Sequence, residues 1–361
     1  MTANRLSLLL RTAASCAILA AATALPLGGA TPETQPPAPA RQTVLGIRGS
    51  QFTINEKPVF LYGISYYGAL GAAPEFIRRD LADMQRLGFN WIRVWATWSA
   101  FDNDVSAVDA EGRLRQPYFD RLKDLISECG RRGMAVDVTL TRGERIGAPH
   151  LASIEIHERA VQELVRGLQP MRNWYLDMAN EHNLRAGSGH PANKEVSFEQ
   201  LARLRTAAKA VDPARLVTAS YCGDAPESDL RKYVGDVRLD FLSPHRQRGR
   251  TSPAETAAKT RQALAMMQAI GRVVPVHYQE PFRRAFGPGW QPAAEDYVAD
   301  LKGAIEGGAA GWCFHNGDSR TAEGGRPRRS FDLREQRLFD QLDPEERKAV
   351  DRMAEVVRKA R

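Results

Sequence analysis

From Val59 onward, short apolar runs alternate with segments of helical spacing, and the alternation repeats eight times. The expected strands are Val59–Tyr67, Phe89–Trp95, Met134–Leu140, Asn173–Asp177, Leu216–Ser220, Leu239–Ser243, Val273–Glu280 and Ala310–His315. Between them lie expected helices over 74–87, 118–132, 153–168, 198–210, 253–270 and 293–306, and a short helical turn over 227–234. A last helix covers 344–359, with Asp343 at its N-cap position. Strands that each lead into a helix build a parallel sheet with helices outside it, because the crossover must return over one face. Eight such units close on themselves as an α/β (β/α)8 barrel, the TIM barrel, in a single domain. The other arrangement that fits the alternation is a doubly wound open sheet. It is disfavoured because no Gly-rich phosphate turn follows any of the strands.

A short β-hairpin is expected ahead of the barrel. Its arms are Phe52-Thr53-Ile54 and Val59-Phe60-Leu61-Tyr62, and its turn is Asn55-Glu56-Lys57-Pro58. The first thirty residues read differently. A basic start at Arg5 and Arg11 precedes an apolar, small-residue run and then Pro26, Gly28, Gly29 and Ala30. This is the pattern of a secretory signal, giving a secreted or periplasmic protein without a membrane span in the mature chain. The apolar run falls short of the ~20 residues that a spanning helix needs. Residues 31–42 carry Pro32, Pro36, Pro37 and Pro39 and read as an extended linker to a domain over 43–361. The net charge of +7 comes from 50 basic and 43 acidic residues interspersed along the chain, which does not indicate a nucleic-acid partner. Cys129, Cys222 and Cys313 lie far apart, and their spacing suggests neither a zinc site nor a particular disulfide. No metal or other cofactor is expected, since no cluster of His, Asp or Glu has ligand spacing. The sequence leaves the oligomeric state open.

In a (β/α)8 barrel the chemistry sits at the C-terminal ends of the strands. Those ends offer Tyr66 and Tyr67 on the first strand and Arg93, Trp95 and Trp98 on the second. The fourth offers Asn180, Glu181 and His182, the fifth Tyr221 and the sixth His245. The seventh offers Tyr278 and Glu280, and the eighth Trp312, His315 and Asn316. Aromatic faces for sugar C–H surfaces, polar edges for hydroxyls and two carboxylates on opposite strands suit cleavage of a glycosidic bond. Arg93 within a strand is costly to bury unless a carboxylate meets it.

The segments "FNWIRVW", "YLDMANEHN", "DFLSPH", "VPVHYQEPF" and "GWCFHN" resemble the clan A glycoside hydrolases, and within them the cellulase-like glycoside hydrolase family 5. The resemblance covers about residues 44–319. It implies a retaining glycosidase acting on a β-linked oligo- or polysaccharide, with Glu181 as acid/base and Glu280 as nucleophile. It further implies that Asn180 holds the sugar 2-hydroxyl, that Arg93 lies under the nucleophile, and that His245, Tyr278 and Trp312 bind substrate. Gln247 stands where relatives often carry Tyr, and Pro281-Phe282 follows the expected nucleophile. The alternatives are a non-catalytic carbohydrate-binding barrel and a transglycosylase remodelling a cell-surface glycan. Retention requires carboxyl groups roughly 5–5.5 Å apart. Strict alternation would turn Asn180 away from the mouth if Glu181 faces it, so a local distortion is expected there. Arg246, Arg248 and Arg250 after the sixth strand, and Arg283 and Arg284 after the seventh, form either a solvated rim or a cationic wall for an acidic glycan.

Overall fold

The computed structural model describes residues 42–100, 103–142, 151–185, 195–284, 290–317 and 332–360. The expected export signal, and the linker apart from Gln42, lie outside them. The chain begins with an antiparallel sheet of β1 (Leu45–Arg48), β2 (Gln51–Ile54) and β3 (Lys57–Val59). Then follow β4 (Leu61–Ser65), α1 (Pro74–Arg86) and β5 (Trp91–Trp95). A two-residue ribbon, β6 (Ser99–Ala100) with β7 (Asn103–Asp104), precedes α2 (Tyr118–Arg131). Next come β8 (Ala135–Thr139), α3 (Ile154–Gly167), β9 (Trp174–Asp177) and α4 (Phe198–Val211). The fifth barrel strand is interrupted at Ala219, giving β10 (Val217–Thr218) and β11 (Ser220–Cys222). The remainder is α5 (Glu227–Arg231) with a π turn at Lys232–Asp236, β12 (Ser243–His245), α6 (Ser252–Ile270), β13 (His277–Tyr278), α7 (Ala294–Gly307), β14 (Gly311–Phe314), α8 (Leu338–Gln341) and α9 (Pro344–Ala360).

Seven strands pair in parallel in the order β10-β9-β8-β5-β4-β14-β13, and β11 pairs in parallel with β12. The ring closes between the sixth and seventh strands through a parallel bridge from Leu242 to Val276. There Leu242 N donates to Pro275 O and His277 N to Leu242 O, both at 2.9 Å. This contact is thinner than expected. Pro275 has no N–H to give the ladder, so the seventh strand reduces to two residues instead of running from Val273 to Glu280. The expected two-arm hairpin is instead three strands. Its second arm divides at Phe60, with β3 staying in the small sheet and β4 entering the barrel.

Period-2 alternation separates two cores. Side chains turned outward, such as Ile64, Ile92, Val94, Val136 and Leu176, pack under the helices. Those turned inward fill the lower barrel: Leu61, Trp91, Ala135, Tyr175, Phe241 and Cys313, closed from below by Leu45 and Phe52 of the small sheet. Phe52 meets Phe241 at 5.0 Å and His277 at 5.6 Å between ring centroids, so the N-terminal sheet plugs the floor of the barrel. Large rings fit there because small residues face them. A Cβ on Gly63 would lie 1.8 Å from the Trp91 ring, and one on Gly311 would lie 2.3 Å from His277 Nδ1. The outer helices end as their sequences direct. Ser197 and Gln200 form a capping box on α4. Asp343 and Glu346 exchange 2.8 Å bonds at the start of α9, with Asp343 as the expected N-cap. Among the described residues, no helix is long and apolar enough to cross a membrane.

Candidate active site

Arg93 is the centre of the upper barrel. On β5 it shares parity with Trp91 and Trp95, so it points inward, one layer above the Trp91 floor. It is fully buried, and each of its three guanidinium nitrogens has an acceptor. Nε meets Thr139 Oγ1 and Asp137 Oδ2, each at 3.1 Å. Nη2 donates to Asp177 Oδ2 at 2.8 Å and to Asn180 Oδ1 at 2.9 Å. Nη1 donates to Glu280 Oε1. Three carboxylates share one guanidinium, and the resulting charge balance decides which of them ionise. Asp137, enclosed between β5 and β9, is pushed up to about 8 by burial, despite Arg93 and with Asp177 adding to the rise. It accepts from Tyr175 at 3.1 Å and from Gln279 at 2.7 Å and serves as a structural anchor.

Glu280 has the opposite balance. Burial would raise its pKa, but His245, His315, Arg93 and Arg248 around it together outweigh this and hold the carboxyl well below the usual range. His315 is itself kept neutral by burial, so the guanidiniums carry the effect. The two oxygens of Glu280 are not equivalent. Oε1 takes Arg93 and the hydroxyl of Tyr67, which donates at 2.5 Å. Oε2 faces Arg248 Nη2 at 2.9 Å, His245 Nδ1 at 3.5 Å and His315 Nε2 at 3.7 Å. Tyr67 is backed by Trp95 and Trp98, 5.2 and 5.5 Å away between centroids.

Glu181 follows β9 with a φ of +48°, a left-handed conformation uncommon for a residue with a Cβ. Its N–H donates to Ser220 Oγ at 3.1 Å, which supports that backbone from the neighbouring strand. The turn resolves the parity conflict. Asn180 reaches down to Arg93, while Glu181 Oε1 reaches across to His245 Nδ1 at 3.2 Å. Glu181 and Glu280 are 8% and 5% exposed, so both open onto the mouth through little surface. An oxygen of Glu181, one of Glu280 and a nitrogen of His245 lie within 4.8 Å of one another. Three such donors are a conceivable cation cradle. The guanidiniums of Arg93 and Arg248 already bring positive charge to Glu280, so a metal ion would meet repulsion there.

The structure gathers Glu181, Glu280, Arg93, Asn180 and His245 as the sequence suggested. It does not gather Tyr278 and Trp312. Both have outward parity on their strands. The Tyr278 hydroxyl lies 2.7 Å from Thr260 Oγ1 of α6, and Trp312 Nε1 donates to Asp300 Oδ2 of α7 at 2.6 Å. They belong to the layer between sheet and helices, and His315, with inward parity, lies at the mouth where Trp312 was expected. His182 is likewise structural, between Val196 O and the Tyr233 hydroxyl at 2.8 and 2.6 Å. Three site residues carried no assigned role in the sequence: Tyr67 and His315, which stood only among the strand ends, and Asp177. Inward alternation along β4, β14 and β9 is the signal that points to them. Arg248 stood only within an arginine run, and nothing local distinguishes it from Arg246 or Arg250. No disulfide joins Cys129, Cys222 and Cys313.

No family model matches the sequence, and no curated protein matches it. Solved structures do. A glycoside hydrolase family 5 protein from Bacteroides vulgatus ATCC 8482 superposes with a TM-score of 0.61 at 14% identity, over 88% of this chain and 71% of its own. GH5_18 from Streptomyces cattleya, solved in complex with GlcNAc, gives 0.59 at 19%, over 83% and 80%. The endo-1,4-beta-mannanase from Rhizomucor miehei gives 0.56 at 15%, over 88% and 99%. The likeness is to glycoside hydrolase barrels, and at these identities it is a likeness of fold.

Proposed function

We propose that the protein is a retaining glycosidase of β-linked oligo- or polysaccharides, with Glu280 as nucleophile and Glu181 as acid/base. The observation that carries this reading is the pair of nearly buried carboxylates, within 4.8 Å of each other, on strands that face each other across one barrel mouth. That spacing suits direct attack by one carboxylate and leaves too little room for the water an inverting enzyme places between them. The likeness to glycoside hydrolase barrels, one of them an endo-1,4-beta-mannanase, supports the substrate class. The signal-like residues 1–30 support action outside the cytoplasm.

The roles follow from the surroundings. Arg93 and Tyr67 hold Oε1 of Glu280, and Oε2, which Arg248 Nη2 meets at 2.9 Å, is the oxygen that attacks the anomeric carbon. As the glycosyl–Oε2 bond forms and the glycosidic bond breaks, Glu181 gives its proton to the leaving oxygen. Glu181 then takes a proton from water, whose oxygen displaces Glu280 and releases the sugar with net retention. Asn180, fixed by Arg93 and Ser220 at 2.9 and 3.4 Å, is placed to bind the sugar beside the nucleophile.

The test uses azide. Glu280→Gly removes the nucleophile, so hydrolysis should fall by several orders of magnitude. Azide should restore part of it by direct attack, giving a glycosyl azide of inverted configuration. Glu181→Ala should still react with activated aryl glycosides, which need little protonation, and azide should then yield the retained product. Near wild-type hydrolysis by either variant on a natural β-glycan would overturn the assignment.

A further inference from the structure

The segment that follows the expected nucleophile turns back toward it. Phe282 is buried against Tyr297 of α7 and against Trp290, at 5.0 and 5.1 Å between ring centroids. With Phe282 anchored there, Arg283 reaches the mouth, and its Nη1 lies 2.8 Å from His315 Nε2. His315 follows β14. Cys313 of β14 is level with Gly63 of β4, and the same register carried two residues further sets His315 beside Ser65. His315 Nδ1 is accordingly 2.9 Å from Ser65 Oγ and 3.3 Å from the Tyr67 hydroxyl. Tyr67 in turn donates to Glu280 Oε1 at 2.5 Å. Polar contacts thus run unbroken from Arg283 through His315 and Tyr67 to Glu280.

These contacts have a direction. A guanidinium N–H only donates, whatever else Arg283 touches. Arg283 stays protonated at neutral pH, although burial and then Arg248 press its pKa down to about 10. His315 Nε2 must therefore accept. Burial, before any other cause, keeps the His315 ring neutral, so its single N–H sits on Nδ1. That N–H points at Ser65 Oγ and at the Tyr67 oxygen. Tyr67 keeps its own proton, because burial and then Glu280 raise the phenol well above its usual range. Faced by an N–H, the phenol cannot donate to His315, and its hydrogen turns to Glu280 Oε1. The other tautomer would set Nε2–H against an arginine N–H and would offer Tyr67 a competing acceptor at Nδ1. Hydrogen bonds aligned in one direction strengthen one another, so a donor behind Tyr67 makes Tyr67 a better donor.

Resting on the glycosidase reading, we propose that Arg283 and His315 are positioning residues for the nucleophile. Arg283 holds His315 as the Nδ1–H tautomer, and His315 commits the Tyr67 hydroxyl to Glu280 Oε1. Oε1 is the oxygen that does not attack. When Oε2 bonds the anomeric carbon, Oε1 becomes the carbonyl oxygen of the glycosyl ester. When water displaces Glu280, the electron pair of the breaking glycosyl–Oε2 bond returns to the carboxylate and is shared with Oε1. The Tyr67 hydrogen bond is strongest to the charged carboxylate, so it aligns Glu280 for attack and eases its departure.

Two measurements test this, and the first needs no substrate. Long-range proton–nitrogen correlation spectra of the protein, its histidines labelled with nitrogen-15, show which ring nitrogen carries the hydrogen, and His315→Gln assigns the signal. Wild type at neutral pH should show Nδ1–H. Arg283→Met should move population to Nε2–H, and Arg283→Lys, which still donates, should keep the wild-type form. An Nε2–H ring in wild type, or an unchanged ring in Arg283→Met, would overturn the proposal. The second measurement is kcat/KM for 4-nitrophenyl cello- and manno-oligosaccharides, together with the rate at which their 2-deoxy-2-fluoro analogues label Glu280. Tyr67→Phe should lower both by roughly 10- to 100-fold, the scale of a hydrogen bond to a charged group. Arg283→Met should lower both by roughly 2- to 10-fold, the scale of a neutral one, with KM little changed. In a Tyr67→Phe background Arg283→Met should cost nothing more, because its effect passes through that hydroxyl. Losses that multiply instead would mean that Arg283 acts on the sugar or on the loop alone, and the proposal would fall. A wild type that neither turns over nor is labelled sinks the glycosidase reading and the kinetic half of the proposal, and the ring nitrogens still decide the hydrogen-bond chain.

Discussion

Replacing Arg93 by Met keeps the length and apolar stem of the side chain and removes its charge and all its donors. The structure sets the size of the effect. Arg93 is fully buried and is the cation between Asp137, Asp177 and Glu280. Removing one partner of a buried ion pair costs about 3–5 kcal/mol, because the other is left charged and desolvated. Here Asp177 and Glu280 lose the same partner, while Asp137 is mostly protonated near pH 7, so a loss within that range is expected there. Equilibrium urea denaturation would read it, with the midpoint falling at constant slope. The pH dependence identifies the cause. In wild type Glu280 has a lowered pKa, so its contribution is present above the unfolded carboxylate range and fades as pH falls through the folded value. In Arg93→Met Asp177 loses its guanidinium and Glu280 keeps only that of Arg248, so holding these acids charged costs more than in wild type. The variant should therefore be least stable above neutrality and should recover toward pH 4–5, where the acids take up protons. Arg93→Met with Asp177→Asn should be less damaged than the single variant at pH 7, a coupling that a double-mutant cycle measures. A loss under about 1 kcal/mol, or a deficit that grows on acidification, would refute the charge balance described for this barrel.

Asp137→Asn should flatten the stability profile between about pH 4 and pH 8, measured by denaturation across that range. The folded pKa of about 8 means that wild type loses stability as pH rises through this window, and the neutral amide does not titrate. Trp312→Phe should cost about 1–3 kcal/mol, since it leaves Asp300 Oδ2 buried without its indole donor, while KM stays within about twofold of wild type; a KM rise of tenfold would return Trp312 to the sugar site. Gly63→Ala should destabilise by upwards of about 3 kcal/mol or prevent soluble expression, because its Cβ would lie 1.8 Å from the buried Trp91 ring; a thermal melt unchanged from wild type would sink this account of the floor.

The strand-and-helix alternation was enough to reach the closed barrel, since parallel strands with outer helices leave few other ways to bury both faces of the sheet. The strand ends then pointed to Glu181 and Glu280, because a barrel offers its chemistry at one rim. The misplacements of Tyr278 and Trp312 have one cause. A strand-end aromatic suggests the mouth by its type alone, but the parity of each strand sends these two rings to the helix layer. Asn180 and Glu181 show the reverse case. Adjacent residues cannot both face inward on a regular strand, and the positive φ at Glu181 removes the conflict.

The sequence by itself determined the fold class, the buried cation in the second strand and the two acids at facing strand ends, because these depend on periodicity and on position along a strand. The tertiary structure decided the charge state of the site. Asp137, Asp177 and Glu280 are far apart in the chain, yet they draw on one guanidinium, and the proton that Asp137 keeps and Glu280 loses follows from where each sits relative to Arg93, Arg248 and solvent. The five loop arginines are alike as letters. Which of them neutralises an acid on an outer helix, and which lies across the nucleophile, depends on the direction in which each loop leaves its strand. A local pattern cannot encode that direction, because contacts more than thirty residues away set it.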